Sequence, residues 1–145
     1  MSLTEALSEP ATKERLIDDA VRFVDQEVSK KGGLGGMVIK GGYKAVKGVS
    51  PGFIRKVVNS LFGRWAEKLD PIWQEGVDKG GSPRDHFARQ RGRVADALLS
   101  VTDEKAKSAS SPMVAKTYKK LRPSAQKHVE EAVPGLADLI AKHAG

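Results

Sequence analysis

The stretch KKGGLGGMVIKGGYKAVKG, from Lys30 to Gly48, decides the fold. Seven of its nineteen residues are glycine and five are lysine, so a phosphate loop, a linker and a glycine-rich helix all compete for it. A Walker loop requires lysine and a hydroxyl directly after its second spaced glycine. Gly36 and Gly41 have the spacing, but Gly42 and Tyr43 follow them. The dinucleotide pattern fails because Val38 stands where a third glycine should follow Gly33 and Gly35, and no strand signal precedes it. On a helix at about 100° per residue, Leu34, Val38, Ala45 and Val49 fall together, flanked by Ile39 and Val46. Lys40, Tyr43, Lys44 and Lys47 gather within ~100° on the opposite side. Such segregation predicts a helix.

Glycine inside a helix costs about 1 kcal/mol relative to alanine. The return for that cost is a close backbone approach. Gly35, Gly42 and Ala45 are therefore read as helix-packing residues lining a shallow groove. A small domain must bury its own apolar stripes first, so the helix spanning Ile54–Trp65 is the expected occupant, ahead of a partner molecule. Gly32-Gly33 is expected to end the preceding helix after Lys31.

Outward from this segment the same periodicity continues. Leu16, Ile17, Ala20, Val21, Val24 and Val28 form one stripe, and Ile54, Val57, Val58, Leu61, Trp65 and Leu69 form another. Later stripes run through Phe87, Val94, Leu98 and Val101, and from Val114 to Ile140. Ser50-Pro51, Asp70-Pro71, Ser82-Pro83 and Ser111-Pro112 each place a capping oxygen before a proline that has no amide to leave unpaired. Pro10, Pro123 and Pro134 are weaker starts of the same kind. Gly80-Gly81 and residues 107–111 read as connections. The expected architecture is all-α, one domain over residues 1–145, with about seven to nine short helices and no sheet.

Composition narrows the class further. With 39% hydrophobic and 30% charged residues among 145, the chain is globular rather than disordered. No apolar run approaches the ~20 residues of a membrane span. The first ten residues lack the basic-then-apolar layout of a signal peptide. There is no cysteine, hence no disulfide and no thiolate chemistry. A cytoplasmic location follows as the expectation.

The segments LGGMVIKGGYKAVKGVSPGFIRKVV, VADALLSVTD and AKTYKKLRPSAQKHVEEAVPGLADLIAKHA resemble a family of small, uncharacterised helical bacterial proteins, a domain of unknown function. The resemblance covers nearly the whole chain. It implies an all-helical domain in a bacterial cytosol and carries over no catalytic residue, cofactor or substrate.

No catalytic constellation is visible. His86, His128 and His143 have no metal-binding spacing, so neither a metal nor another cofactor is expected. The i, i+3 pair His128 and Glu131 reads as a surface contact, and Asp18 as a partner of Arg15 and Arg22. Charge is the remaining signal. Residues 1–29 carry a net −4, residues 30–69 a net +8, residues 84–93 a net +3 and residues 106–127 a net +6. Lys40, Lys44 and Lys47 surround Tyr43, Arg55 and Lys56 begin the next helix, and Arg89 and Arg93 stand one turn apart. These eight side chains are the candidates for binding an anionic partner, whether nucleic acid, anionic lipid or acidic protein, without sequence specificity. Lys116, Lys119, Lys120, Arg122 and Lys127 form a further basic group. The expectation is a non-enzymatic protein acting through this basic face. One alternative is an apolar ligand or partner helix held in the glycine-lined groove, with the charges merely solvated; another is an enzyme of unrecognised type. Oligomeric state is not legible.

Overall fold

The computed structural model describes residues 3–109 and 111–144, without the side chains of Leu34 and Ala144. Among these residues there are seven helices and no strand: α1 (Leu3–Ser8), α2 (Pro10–Lys30), α3 (Gly33–Lys47), α4 (Phe53–Asp78), α5 (Pro83–Arg89), α6 (Arg91–Lys107) and α7 (Pro112–Ala144). The glycine-lysine segment is helical, as its wheel predicts.

Several ends follow local chemistry. Ser82 accepts from the Asp85 amide at the start of α5, with Pro83 in the first turn. Ser111 accepts from the Val114 amide at the start of α7. Glu9 caps α2, accepting from the amides of Ala11 and Thr12. Those bonds, led by the one from the Thr12 side chain, hold its carboxyl below the usual range.

The seven helices agree with the expected seven to nine, but packing overrides some cap signals and three of the helices are long. α2, which Pro10 starts, has 21 residues, and α4 and α7 run to 26 and 33 because Pro71, Pro123 and Pro134 lie inside helices instead of starting them. At Pro71 the reason is burial on both sides: Leu69, Ile72 and Trp73 all lie in the core and hold the helix through the missing hydrogen bond. Asp70 serves another helix. Its carboxylate accepts from the Leu3 amide at 2.8 Å and the Thr4 hydroxyl at 3.2 Å, capping α1 from across the fold. Ser50-Pro51 forms part of a turn, and α4 is entered through Gly52 in the left-handed region at φ 68°.

α4 packs against α1, α2, α5 and α6, and α7 packs against α2, α3, α5 and α6. Between them lies the core, built from Leu3, Ile17, Phe62, Phe87, Val94 and Val133 with their neighbours. Trp73 and Phe87 meet edge to face with ring centroids 5.5 Å apart.

The position of α3 corrects three expectations. Its groove is occupied chiefly by α7, not by the Ile54–Trp65 part of α4. A Cβ on Gly42 would lie 2.9 Å from Leu121 Cδ1 and 3.2 Å from Thr117 Cγ2. Gly35 takes no part, since a Cβ there would meet nothing within 4 Å. It sits about 10 Å further along the axis, beyond the reach of those two side chains. Ala45 is half-buried. The expected stripe is also rotated: Val38 is exposed, whereas Ile39, Gly42, Tyr43 and Val46 are partly covered. Leu34, counted in that stripe, has its side chain outside the described residues.

Candidate functional site

The eight candidate anion-binding side chains divide into two sets. Tyr43 donates to Asp25 on α2 and is half-buried, so its ring is not presented for stacking. Burial, and then this bond, raise the phenol above its ordinary range. The Tyr43 bond is also the main reason the Asp25 carboxyl is lowered. Lys47 approaches Asp25 at 3.2 Å and lies over the Tyr43 ring. Arg55 is held by Glu14 at 2.6 Å and by Asp18. Arg93 grips both oxygens of Glu75, at 2.8 and 2.7 Å. Lys40, Lys44, Lys56 and Arg89 are exposed and make no ion pair with any described residue. Three of the seven expected basic groups are thus neutralised internally, two of them by the acidic α2. In the further basic group, Arg122 is likewise paired, with Asp103 at 2.8 Å.

A different feature emerges between the helices. A cavity of about 350 Å³, partly open to solvent, lies between α1, α2, α4, α6 and α7, with Ile39 of α3 on its wall. Its lining is apolar apart from Glu27, Lys31, Thr102 and His128. The Thr102 hydroxyl is already bonded to the Leu99 carbonyl at 3.1 Å and the Tyr118 hydroxyl at 2.9 Å. Trp65, on the wall, donates its indole N–H to the Leu98 carbonyl at 3.2 Å. The remaining three polar residues mark one end, where the cavity meets a polar cleft completed by Lys30, Gly32, Lys127 and Glu131.

At this mouth the charges are arranged in pairs. Lys30 meets Glu27 at 3.4 Å, and Lys31 meets Glu131 at 3.0 Å. The Lys31 bond is the main reason the Glu131 carboxyl is held below its usual range. Glu131 therefore joins α7 to the α2–α3 connection, and its neighbours Lys127 and His128 act on its carboxyl through space without a hydrogen bond. His128 Nδ1 is buried without a hydrogen-bond partner among the described residues.

A family model spans residues 3–144. The chain belongs to DUF6918, a family of unknown function. No curated protein and no solved structure matches it. The family placement agrees with the resemblance carried by the glycine-lysine segment and the tail, and with the helical structure. In this DUF6918 chain no helix among the described residues is long and apolar enough to cross a membrane.

The glycines that shape the DUF6918 cavity are not those singled out by the wheel. Gly36 is buried where a Cβ would come within 2.6 Å of the Lys31 carbonyl carbon, so the chain turns tightly from α2 into α3 beside the cleft that Lys31 lines. Gly135 makes room for the Phe23 ring, whose Cε1 would lie 2.6 Å from an added Cβ. Both contacts join residues distant on a helical wheel or in the chain, so periodicity carries no signal for them. His128 was noticed only for its spacing. Its burial beside an apolar space depends on how α2, α3 and α7 converge.

Two further clusters tie elements together. His86, 4% exposed, lies 3.2 Å from Glu75, which Arg93 also holds, so α4, α5 and α6 meet at one carboxylate. Asp19 receives His143 at 2.7 Å, Lys142 at 3.0 Å and Arg22, fastening the end of α7 to α2. The His143 bond leads in holding the Asp19 carboxyl far below its ordinary range. The sequence expectation had paired Asp18, not Asp19, with Arg22; Asp18 turns toward Arg55 instead.

Proposed function

We propose that this chain is a non-enzymatic binding protein that holds an apolar small molecule inside its helical bundle. The observation carrying this reading is the 350 Å³ space with apolar walls. Protein interiors are close-packed, and voids larger than a water molecule are few. The size lies within the ordinary range of small-molecule pockets. The internal pairing of Lys47, Arg55 and Arg93 weakens the rival reading of a basic docking face.

The test fills the space from its own wall. Ala20 and Ala132 line the cavity from opposing helices α2 and α7. An uncharged solvatochromic dye should bind the wild type saturably at one site. Ala20→Leu combined with Ala132→Leu should weaken that binding about tenfold or more and raise the melting temperature. Equal dye binding by both proteins, or no saturable binding by the wild type, counts against the reading. Native mass spectrometry of protein from its own cell would then identify the occupant.

A further inference from the structure

We infer that the outward face shared by α3 and the first half of α7 docks on the surface of an anionic lipid bilayer. Lysines of both helices meet the lipid phosphates, while Met37, Val38 and Met113 enter the boundary between headgroups and acyl chains. The inference stands apart from the cavity reading and does not need it.

The two helices lie side by side. Gly42 of α3 faces Thr117 and Leu121 of α7, and Lys31, just before α3, meets Glu131 at 3.0 Å. They therefore run antiparallel, and a helical wheel set by those contacts puts their exposed residues on one surface. On α3 that surface carries Met37, Val38 and Lys44, with Lys40 at its border. Met113, Lys116 and Lys120 continue it on α7.

The charge on this surface is uncompensated. Lys40, Lys44, Lys116 and Lys120 are exposed and make no ion pair with any described residue. Neither α3 nor residues 112–129 of α7 contain an acidic residue. The carboxylates of neighbouring elements are already engaged. Asp25 takes Tyr43 and Lys47, Asp103 takes Tyr118 and Arg122, and Glu131 takes Lys31. Four positive charges spread over two helices match a partner whose negative charge is also spread over an area.

The apolar side chains choose among such partners. Four large hydrophobic residues are exposed among the described ones, and three of them, Met37, Val38 and Met113, belong to these two helices. Met37 is 69% exposed and adjoins Val38, so lysines and apolar tips are interleaved on one surface. A bilayer interface accepts both at once, with ammonium groups among the headgroups and apolar tips below them. A nucleic acid takes the lysines but offers the methionines and the valine nothing. Stacking on bases needs an exposed ring, and Tyr43, the aromatic residue of α3, is turned toward Asp25.

The chain has no cysteine, so Met37→Cys gives one attachment point for a polarity-sensitive dye. At low ionic strength, vesicles of equal parts phosphatidylglycerol and phosphatidylcholine should shift the emission from position 37 to the blue. The same dye on Lys79→Cys, roughly 40 Å along α4 from its start, should not respond. Phosphatidylcholine vesicles should leave both unchanged. The unlabelled protein should sediment with the anionic vesicles, and Lys44→Gln combined with Lys120→Gln should weaken that partitioning about tenfold or more. Lys68→Gln combined with Lys79→Gln removes the same charge from α4 and should weaken it about threefold or less. Met37→Ser combined with Val38→Ser alters exposed positions and should weaken it about fivefold. Absence of sedimentation with anionic vesicles, equal losses for the two lysine pairs, or a blue shift at both dye positions overturns the proposal. Retention on duplex DNA, with vesicle binding undiminished in the serine variant, overturns it in favour of a nucleic-acid partner.

Discussion

The α4–α6 region and the region around α3 are both helical and both use glycine at contacts, yet they pack differently. In α4–α6, Phe87, Val94 and Ala95 are fully excluded from solvent. Gly76 there brings α4 so near α5 that a Cβ would lie 2.7 Å from Pro83 Cα, a backbone atom. In α3 and residues 112–132 of α7, no described side chain reaches that burial, and Met37, Val38 and Met113 stand exposed. Gly42 is close only to the ends of Leu121 and Thr117. α5 is fixed to α4 by backbone against backbone, whereas α3 meets α7 at Gly42 through side-chain ends that can shift. A binding cavity needs both, a rigid wall and an adaptable one.

The largest contrast should appear on truncation. Phe87→Ala removes a ring that is fully buried against Trp73 and should cost about 3–5 kcal/mol in chemical denaturation. Val24→Ala, in a half-buried wall that already borders open space, should cost less than ~1.5 kcal/mol. Similar losses for the two would mean that the cavity wall is as tightly packed as the core.

The glycines sharpen the same comparison at smaller scale. Gly76→Ala should cost about 1–3 kcal/mol, because Pro83 Cα and the His86 Cβ at 3.0 Å cannot both give way. At Gly42 the obstacle is a mobile leucine methyl, and alanine gains about 1 kcal/mol in helix propensity. Gly42→Ala should therefore stay within ~1 kcal/mol of the wild type in thermal melts. A loss at Gly42 matching that at Gly76 would show that α3 is as rigidly seated as α5.

These cases also show what the sequence could and could not disclose. The helical class, the connection at Gly80-Gly81 and the caps at Ser82 and Ser111 are local, written in residues that touch within one turn. The wheel found Gly42 because helical geometry fixes which side of α3 it occupies. It named the wrong neighbour because α7 reaches α3 only through the tertiary path of the chain. Asp70 looked like a cap for the helix after it, and it caps α1 instead, 67 residues away in sequence. The cavity has no local signature at all. Its lining residues read as ordinary core stripes, and only their failure to close on one another makes a space. The basic face has the same limit, since charge blocks along the chain do not reveal that Arg55 lies against Glu14 and Asp18.

Acid should act on the rigid region through Glu75. The Arg93 guanidinium first, and then His86, hold its carboxyl down at about 2 from an ordinary 4.5. Because the folded value is depressed, the unfolded chain binds the proton first as pH falls. The stabilisation is complete above about 4.5 and is lost progressively toward 2. In urea melts across that window, the gap between wild type and Glu75→Gln should narrow as pH drops. A gap of constant width would remove the Glu75 cluster as a source of acid sensitivity.

The smallest effects concern the charges of α3, where paired and unpaired lysines lie on one helix. Lys40 and Lys44 are exposed without an ion-pair partner, so the double change Lys40→Glu, Lys44→Glu should shift stability by less than ~0.5 kcal/mol per site. Lys47 differs: its ammonium lies 3.2 Å from Asp25, whose carboxylate also takes the Tyr43 hydroxyl. Lys47→Glu replaces that attraction with repulsion between like charges and frees no other cation to compensate. Both members of the pair are substantially exposed, so the loss should be no more than about 1 kcal/mol, and added salt should diminish it. The same proteins separate stability from binding. If α3 served an anionic partner, the double change at Lys40 and Lys44 would abolish retention on heparin while leaving the fold intact. If its charges are solvated cover for the cavity, dye binding should survive in the double variant. Loss of dye binding in that variant would place the function on the surface of α3 and away from the space beneath it.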